Sequence, residues 1–458
     1  MDSLRTTEKV AQFVVDTRFK NIPGDGVELS KRAIIDTLAC MIAGVPEPVS
    51  QKIINLVRLE GCKPISGVIG AGFKTSPLNA SLANGTLGHA LDLDDDNDSL
   101  RGHPSVVILP AILALAEELN KSGKDVITAY AVGFEVEAKV GRGVNIEHYE
   151  RGWHPTSTLG TLGAAAASAK MLDLDITQTT MALGIAASLA SGIRMNLGTM
   201  TKPLHVGQAA HNGVLAAKLA QEGFTAHPSV LEAEQGFCDL FCGRENCNWQ
   251  SITDQIGNPF DLISPGIIPK IYPSCSLTHP AIDMILDLKR ERALEPDEIK
   301  KVRCGTDYRA PVTLLYHSPQ TGLEGKFSME FCIAVSIVEG KAGIEQFMDQ
   351  KARNPKIQSL MRKIEVYTHP ELQDRKSLGK GFTLLEIELN NGDKISRRLG
   401  KPKGDPTNPL SWDELFEKYS DCGKRSLTDQ VIRESLDLLK RLDELPKVTK
   451  IMNLLCKI

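Results

Sequence analysis

The chain has 458 residues, of which 42% are hydrophobic and 24% charged, and its formal net charge is −4. Such a composition is typical of a globular protein of two or three domains, and without a basic excess nucleic acid is not an expected partner. The sequence has neither the apolar core of a signal peptide nor an apolar run of about 18 residues, so no membrane span is expected. The ten scattered cysteines indicate reduced thiols in a cytoplasmic protein.

The first half of the chain predicts one helix after another. Apolar residues recur at helical spacing over 28–41, the segment 105–119 is rich in alanine, isoleucine and leucine, and 125–140 is similar. Segments 160–170 and 182–192 consist largely of small residues, which allow helix axes to approach closely. We therefore expect the tightly packed centre of an all-helical domain.

The pattern changes near residue 266, where four prolines fall within sixteen positions. Strand-like and helical segments alternate beyond this point. The pattern predicts strands over 302–308, 363–368 and 383–389, a buried helix over 328–338, and a hairpin turn over 390–393.

Helical patterns return after residue 404, with a helix start at Ser411. The sequence thus predicts a mainly α fold. We expect an all-helical domain built from residues 1–265 and 404–458, with an inserted α+β lid domain over residues 266–403.

Five aspartates lie within seven positions, from Asp92 to Asp98, and His103 closes this acidic run. Their mutual repulsion must be offset by solvent, a metal ion or nearby cations. Solvation in a surface loop is the usual outcome for a block of like charge. Here apolar residues flank the run on both sides, which favours burial between two helices, where carboxylate pKa values can be pushed apart.

This part of the chain can be compared with two known metal-binding motifs. Asp94 to Asp98 matches the DDxxD pattern that holds magnesium and diphosphate in all-helical terpene synthases, so a magnesium-dependent diphosphate lyase is an alternative function. The sequence offers no convincing second metal motif, and its aromatic content of 5% is low for a carbocation pocket. A calcium-binding EF-hand is excluded because Asn97 and His103 stand at its glycine and glutamate positions.

Three further clusters, each fixed by proline, carry histidine and lysine side chains. They contain His154, then Lys202 and His205 on a turn that leads into a helix, then Lys270, Tyr272, Ser274 and His279. Alone, each residue is more often a surface group or a satisfied core group. With the acidic run they predict one site with carboxylates and histidines for proton transfer and lysines that bind an anion. We expect no metal and no other cofactor, because no further ligand set is apparent.

These motifs resemble the MmgE/PrpD family, and the resemblance covers essentially the whole chain. The residues that carry it are Asp92-Leu93-Asp94-Asp95, Gly102-His103-Pro104-Ser105, His154-Pro155, Thr201-Lys202-Pro203-Leu204-His205, Tyr272-Pro273-Ser274-Cys275, His279-Pro280 and Thr321-Gly322-Leu323-Glu324-Gly325-Lys326-Phe327-Ser328. The family includes 2-methylcitrate dehydratase, cis-aconitate decarboxylase and iminodisuccinate epimerase. The resemblance implies a helical domain with a lid, usually as a homodimer.

The resemblance also implies roles for particular residues. The catalytic positions are Asp92, His103, His154, Lys202 and Lys270. The positions expected to bind substrate are Asp95, His205, Tyr272, Ser274, His279 and, as an approximate match to a lid tyrosine, Tyr308. Asp96 stands where the decarboxylases of the family have threonine.

The expected function is that of a cofactor-independent lyase or isomerase that removes an α proton from a small di- or tricarboxylate. Dehydration, decarboxylation and epimerisation remain open as outcomes, and either His103 or His154 could be the base. Closure of the lid would carry Lys270 onto the substrate. Besides the diphosphate lyase, a non-catalytic helical binding protein is the alternative.

Overall fold

The computed structural model describes residues 5–375 and 381–456, and its mainly helical architecture confirms the predicted fold class. The helices of the N-terminal part are α1 Thr6–Asp16, α2 Gly24–Gly44, α3 Pro48–Glu60, α4 Pro77–His89, α5 Ser105–Leu119, α6 Gly123–Val144, α7 Glu147–Glu150, α8 Pro155–Met171, α9 Ile176–Leu189, α10 Thr201–Gln221, α11 Phe237–Cys242 and α12 Trp249–Thr253. A short antiparallel pair, β1 Ser66–Val68 and β2 Phe73–Thr75, interrupts them.

Local sequence signals explain where the helices that lead to the site begin and end. Helix α4 starts with Pro77 in its first turn, and the Ser76 side chain accepts a hydrogen bond from the backbone N–H of Asn79. Helix α5 follows Pro104 and ends at Asn120, which adopts the left-handed conformation of a C-terminal cap. The prediction for 105–119 is therefore confirmed at both ends.

Small residues bring the central helices close together, as the sequence predicts. A Cβ atom on Gly213 of α10 would lie 2.4 Å from the Cβ of Ala164 in α8. A Cβ atom on Gly85 of α4 would lie 2.8 Å from the Cα of Gly207 in α10. Larger side chains at these positions would push α10 away from its neighbours.

The middle of the chain forms a second, separately packed unit. Its elements are α13 His279–Glu291, β3 Ile299–Thr306, α14 Ala310–Thr313, α15 Gly322–Gly325, α16 Met329–Glu339, α17 Asp349–Ala352, α18 Pro355–Met361, β4 Ile364–Thr368, β5 Thr383–Leu389 and β6 Lys394–Leu399. The strand order is β4-β3-β5-β6, with β3 and β4 parallel and the other pairs antiparallel. The predicted helix, strands and hairpin of this region are all present.

Three helices from the end of the chain return to the N-terminal part. They are α19 Trp412–Gly423, α20 Asp429–Lys440 and α21 Thr449–Leu455. One apolar core combines residues 10–267 with 415–456, and a second core lies within residues 281–389. The domain bounds 1–265, 266–403 and 404–458 stay a prediction.

Two features differ from the sequence-based expectation. Lys202 and His205 lie in the first turns of α10 itself and not on a turn that precedes it, since proline is well tolerated in a first helical turn. The β1–β2 pair was not predicted, because three residues are too few to show a strand period.

No single described helix is long and apolar enough to cross a bilayer. Helices α2 and α3 meet the length and composition of a span only as a pair, and that pair is bent by 87°.

Candidate functional site

A cleft of about 400 Å³ is lined by residues from both parts of the chain, from Asp92 to Lys202 and from Ile268 to Asp405. The five residues predicted to be catalytic all line this cleft: Asp92, His103, His154, Lys202 and Lys270. They come from the loop between α4 and α5, the start of α8, the start of α10 and the segment before α13. The fold therefore brings together residues that are distant in sequence.

The carboxylate of Asp92 lies between two lysine side chains. Its Oδ2 atom is 3.0 Å from the Nζ atom of Lys202. The Lys270 ammonium donates a short hydrogen bond to Oδ1 and a second one, of 3.2 Å, to the main-chain carbonyl of Asp92. Asp92 itself has a left-handed backbone with φ 54°, a sparsely populated conformation for a residue with a Cβ atom.

The ion cluster around Asp92 is buried, and its members keep one another charged. Burial alone would raise the pKa of the Asp92 carboxyl, but Lys202 and Lys270 outweigh it and hold this pKa well below its usual value. Burial alone would lower the pKa of Lys270, but Asp92 and Asp94 raise it above its usual value. The cleft thus contains a carboxylate that lies between two lysine side chains.

His103 presents one ring nitrogen to this cluster and uses the other to anchor itself. Its Nδ1 atom is 2.9 Å from the main-chain carbonyl oxygen of Asp95, and its Nε2 atom is 3.7 Å from Oδ1 of Asp92. A carbonyl can only accept, so Nδ1 carries the proton. Burial, and then the charge of Lys270, lowers the pKa of His103 well below the usual histidine value. Neutral His103 therefore holds its free lone pair on Nε2.

His154 is the N-cap residue of α8 and pairs with another histidine. Its Nδ1 atom lies 3.2 Å from Nδ1 of His205, so one of the two nitrogens must carry a proton. Burial, and then the charge of Lys202, lowers the pKa of His154 well below its usual value. Burial lowers the pKa of His205 to about 4. His205 reaches the cleft only through His154.

The arrangement can bind an anion at two ammonium groups and exchange protons through two neutral histidines. Comparison with known families identifies where such a site occurs. The sequence model of the MmgE/PrpD N-terminal domain matches residues 8–250, and that of the MmgE/PrpD C-terminal domain matches residues 272–443.

The chain belongs to the MmgE/PrpD family.

Its similarity to curated family members extends over nearly the whole chain. Cis-aconitate decarboxylase of Mus musculus is 27% identical over 463 residues, which cover 98% of this chain and 93% of that protein. The enzyme of the same name from Aspergillus terreus is 28% identical over 475 residues, covering 98% and 95%. The probable 2-methylcitrate dehydratase of Saccharomyces cerevisiae is 26% identical over 432 residues, covering 85% and 80%.

These relatives identify this MmgE/PrpD protein as an enzyme of a lyase family, as its resemblance predicts. They give no support to the two alternatives, the diphosphate lyase and the non-catalytic binding protein. The family relationship leaves the roles of individual residues as predictions, which the geometry of the site supports to different degrees.

Asp95 does not line the cleft. Its carboxyl accepts a short hydrogen bond from the Ser105 hydroxyl and one of 3.3 Å from the Ser105 backbone N–H. The Ser105 hydroxyl in turn lies 2.6 Å from the Tyr130 hydroxyl. Burial raises the pKa of Asp95 well above its usual value. In this structure Asp95 therefore braces the loop, and its main-chain carbonyl anchors His103.

Tyr272, Ser274 and His279 also lie outside the cleft lining and bind their own neighbourhood. The Tyr272 hydroxyl donates to Oδ1 of Asp283 at 2.6 Å. The Ser274 hydroxyl is 2.9 Å from that of Thr278, and Nε2 of His279 is 3.3 Å from the Ser274 carbonyl oxygen. These three residues are close to Lys270 in the sequence, but their side chains do not line the cleft.

Tyr149, which sequence reasoning missed, is the one tyrosine among residues 5–375 and 381–456 that lines the cleft. Its hydroxyl lies 2.8 Å from that of Thr313, and the guanidinium of Arg194 stacks 3.8 Å from the centre of its ring. Tyr308 does not line the cleft, and its hydroxyl is 3.5 Å from Oε1 of Glu150.

Asp94 and His89 form a second layer of the site that was also missed. Both carboxylate oxygens of Asp94 are 2.9 Å from Nδ1 of His89, and Oδ2 is 3.4 Å from Nδ1 of His103. Burial would raise the pKa of Asp94, but His89 and then His103 hold it well below its usual value. His89 is the last residue of α4. Only the folded structure shows that its side chain contacts Asp94.

Two buried lysines outside the predicted set join the loop around Asp92 to the segment around Lys270. Lys418 of α19 donates to the carbonyls of Leu93 at 3.0 Å and Lys270 at 2.7 Å. Lys326 donates to the carbonyl of Pro273 at 3.2 Å and makes a short hydrogen bond to that of Leu91. Each lysine therefore bridges the same two segments, one on either side of the Asp92–Lys270 pair.

The side chains of His89, Asp92, Asp94 and His103 offer donor atoms that lie within 4.8 Å of one another. This corrects the sequence-based statement that no further ligand set exists, since His89 joins the acidic run only in the fold. Imidazole and carboxylate suit divalent cations. However, both oxygens of Asp92 already lie at lysine ammonium groups, which a metal ion would have to displace.

Proposed function

We propose that this MmgE/PrpD enzyme moves a proton at the carbon α to a carboxylate of a small di- or tricarboxylate, without a metal or organic cofactor. The observation that carries the proposal is the meeting of Asp92, Lys202, Lys270, His103 and His154 at one cleft. The printed names of the relatives, a decarboxylase and a dehydratase of carboxylic acids, support it.

Lys202 and Lys270 supply the charge that such chemistry needs. When an α proton leaves, its electron pair moves toward the carboxylate and builds an enolate-like dianion. Two ammonium groups that are already buried and oriented by Asp92 stabilise this charge without reorganising. Asp92 is thus proposed to orient the two lysine side chains and to offset their positive charge before substrate binds.

His103 is the better candidate for the base. Its Nδ1 proton is fixed by the Asp95 carbonyl, which leaves Nε2 free to accept a proton on the side of Asp92. Once His103 is protonated, the carboxylate of Asp94 at 3.4 Å from Nδ1 stabilises the imidazolium. Binding of an anionic substrate raises the pKa of His103 toward neutrality, where a general base works best.

His154 is proposed to return a proton: binding of the anionic substrate raises its pKa, so that its imidazolium form becomes available as the acid. In dehydration it would protonate the leaving hydroxyl group, and in epimerisation it would protonate the opposite face of the carbanion. In decarboxylation the carbanion forms by loss of carbon dioxide, and only the proton transfer to carbon is needed. Dehydration and epimerisation start from the carbanion that His103 generates, whereas decarboxylation generates its carbanion without that step, so the choice among the three depends on the substrate.

Asp96 influences which acids can bind in the cleft. It lines the cleft, and its Oδ2 atom accepts a hydrogen bond of 2.7 Å from the Ser276 hydroxyl. Burial raises the pKa of Asp96 above its usual value. A carboxyl that binds a proton more readily repels an anionic substrate less, so Asp96 is compatible with a polycarboxylate.

A homodimer and a cytoplasmic location complete the proposal. Both come from the sequence, the first through the family resemblance. One relative of this chain is named as a mitochondrial 2-methylcitrate dehydratase, and the cytoplasmic location proposed for this chain would distinguish the two proteins.

The direct test is a panel of di- and tricarboxylates incubated with the enzyme in deuterated water and followed by proton NMR. The expected result is loss of an α-proton signal for at least one acid, with or without net conversion. The same acid should keep its signal with the His103→Ala variant. If no acid in the panel exchanges faster than without enzyme, proton transfer at an α carbon is not the function.

A further inference from the structure

Arg101 lies on a tight turn two residues before His103. The backbone N–H of Asn97 donates to the carbonyl of Gly102 at 3.0 Å, and that of Arg101 donates to the carbonyl of Asn97 at 2.8 Å. The side-chain amide of Asn97 ties the turn to the carbonyl of Gly266 at 2.8 Å. Arg101 has φ 55°, in the left-handed region that a residue with a Cβ atom seldom adopts. The turn thus fixes Arg101 at the wall of the cleft.

The other cations that line the cleft already have partners. Lys202 and Lys270 bind Asp92, Arg309 binds Asp307, Lys401 lies 3.0 Å from Asp405, and Arg194 donates to the carbonyls of Tyr149 and Val312. The guanidinium of Arg101 has neither a hydrogen-bond acceptor nor an ion-pair partner among residues 5–375 and 381–456. It is partly buried, beside Asp98, Tyr149 and Arg309.

A partly buried guanidinium without acceptors is costly, because it loses water and gains no hydrogen bonds in return. Burial and then the like charge of Arg309 lower the pKa of Arg101, although a guanidinium stays protonated in proteins. An anion with two oxygens in one plane would satisfy it, and a carboxylate matches the fork of an arginine.

We propose that Arg101 binds a second carboxylate of the substrate, one that takes no part in the reaction. This inference rests on the proposed function and names the residue that binds the second carboxylate of such an acid. Lys202 and Lys270 bind the carboxylate next to the reacting carbon, and Arg101 binds the distal one. Monocarboxylates of the same length lack the second contact.

Isothermal titration calorimetry with succinate and butyrate tests the proposal, because the two acids differ by one carboxylate. For wild type, succinate should bind more tightly than butyrate. In Arg101→Gln, Kd for succinate should rise about ten- to hundredfold, the usual loss for a hydrogen bond to a charged group. Kd for butyrate should change less than about threefold, within the range for a lost long-range charge.

Two control variants separate the contact from a general change in charge. Arg101→Lys keeps the charge but loses the fork, and should recover part of the succinate affinity. Arg290→Gln removes an exposed arginine of α13 that pairs with Asp287, and should leave both affinities unchanged. Thermal unfolding verifies that each variant is folded.

A succinate Kd in Arg101→Gln equal to that in Arg290→Gln would overturn the inference, and so would equal losses for the two acids. Neither result would touch the proposed function. If wild type binds neither acid, nor the tricarboxylate cis-aconitate, the proposed substrate class itself is wrong and Arg101 loses its role with it.

Discussion

The ammonium group of Lys270 donates to both the carboxylate and the main-chain carbonyl of Asp92. Lys326 and Lys418 hold the two segments that carry this pair. Lys270 is therefore in the site before substrate binds, in contrast to the expectation that lid closure carries it there. A moving lid would therefore have to act through other lid-domain residues that line the cleft, such as Arg309, Phe382 and Lys401.

Lid motion should appear in hydrogen exchange upon binding of an acid that undergoes α-proton exchange. Backbone amides over 306–310 and 381–385 should exchange more slowly, because closure excludes water from the cleft. Amides over 268–276 should change little, since this segment is already fixed by hydrogen bonds. Saturable binding without any slowing would contradict a moving lid. Slowing confined to 268–276 would instead show that Lys270 moves.

Lys326 should make stability depend on pH. Burial lowers its pKa to about 8 from 10.5 in the unfolded chain, so its charge costs more in the folded state. That cost is present in full below pH 8 and fades as pH rises toward 10.5. Compared with Lys326→Met, wild type should therefore gain roughly 2 kcal/mol in free energy of unfolding between pH 7.5 and 9.5, measured with urea. Lys356→Met, at an exposed lysine of α18, is the control and should show no such pH-dependent difference.

Asp94 should control the acid limb of the pH–rate profile. Because the pKa of His103 is lowered, the limb of kcat/KM should lie below the usual histidine value of about 6.5. Asp94→Asn removes a charge that favours protonated His103, so the limb should move to lower pH. The rate should also fall, by about 10- to 100-fold, as the imidazolium loses its partner. Asp437→Asn, at an exposed carboxylate of α20 that lies 3.8 Å from Lys440 and outside the cleft, should do neither.

Activity should survive chelation. The two lysines at Asp92 occupy the oxygens that a cation would need in the cluster with His89, Asp94 and His103. Dialysis against EDTA should leave the exchange rate within about twofold, and added magnesium or zinc should not raise it. A rate that is lost with EDTA and returns with one metal would assign the cluster to that metal and revive metal-assisted chemistry.

Local sequence signals predicted much of the fold because they act over a few residues. Pro104 and Asn120 bound α5, and the small residues of α8 and α10 indicate their close packing. The acidic run and the three basic clusters also contained the five residues that the fold brings together at the cleft. Apolar flanks draw a charged segment toward the protein interior, where its charges need partners of opposite sign. A shared, partly buried site supplies those partners.

Contacts between distant segments could not be predicted in the same way. Lys418 lies 325 positions from Leu93, and Lys326 lies 235 positions from Leu91. A lone lysine gives no sign of such a partner. In the opposite direction, Tyr272 and His279 stand close to Lys270 in sequence, but their hydrogen bonds face the second core. The motifs therefore indicated the correct region of the structure, but not which of their side chains line the cleft.

The proposed reaction requires that His103 transfers a proton while Lys202 holds the carboxylate and its developing charge. The measurement is the rate of α-proton exchange in deuterated water, at a series of concentrations of one active acid, for wild type, His103→Ala and Lys202→Ala. His103→Ala should lower kcat by about 10²–10⁴-fold and change KM little. Lys202→Ala should raise KM and, if the lysine also stabilises the transition state, lower kcat as well. Folded His103→Ala protein that exchanges the proton at the wild-type rate would contradict the account.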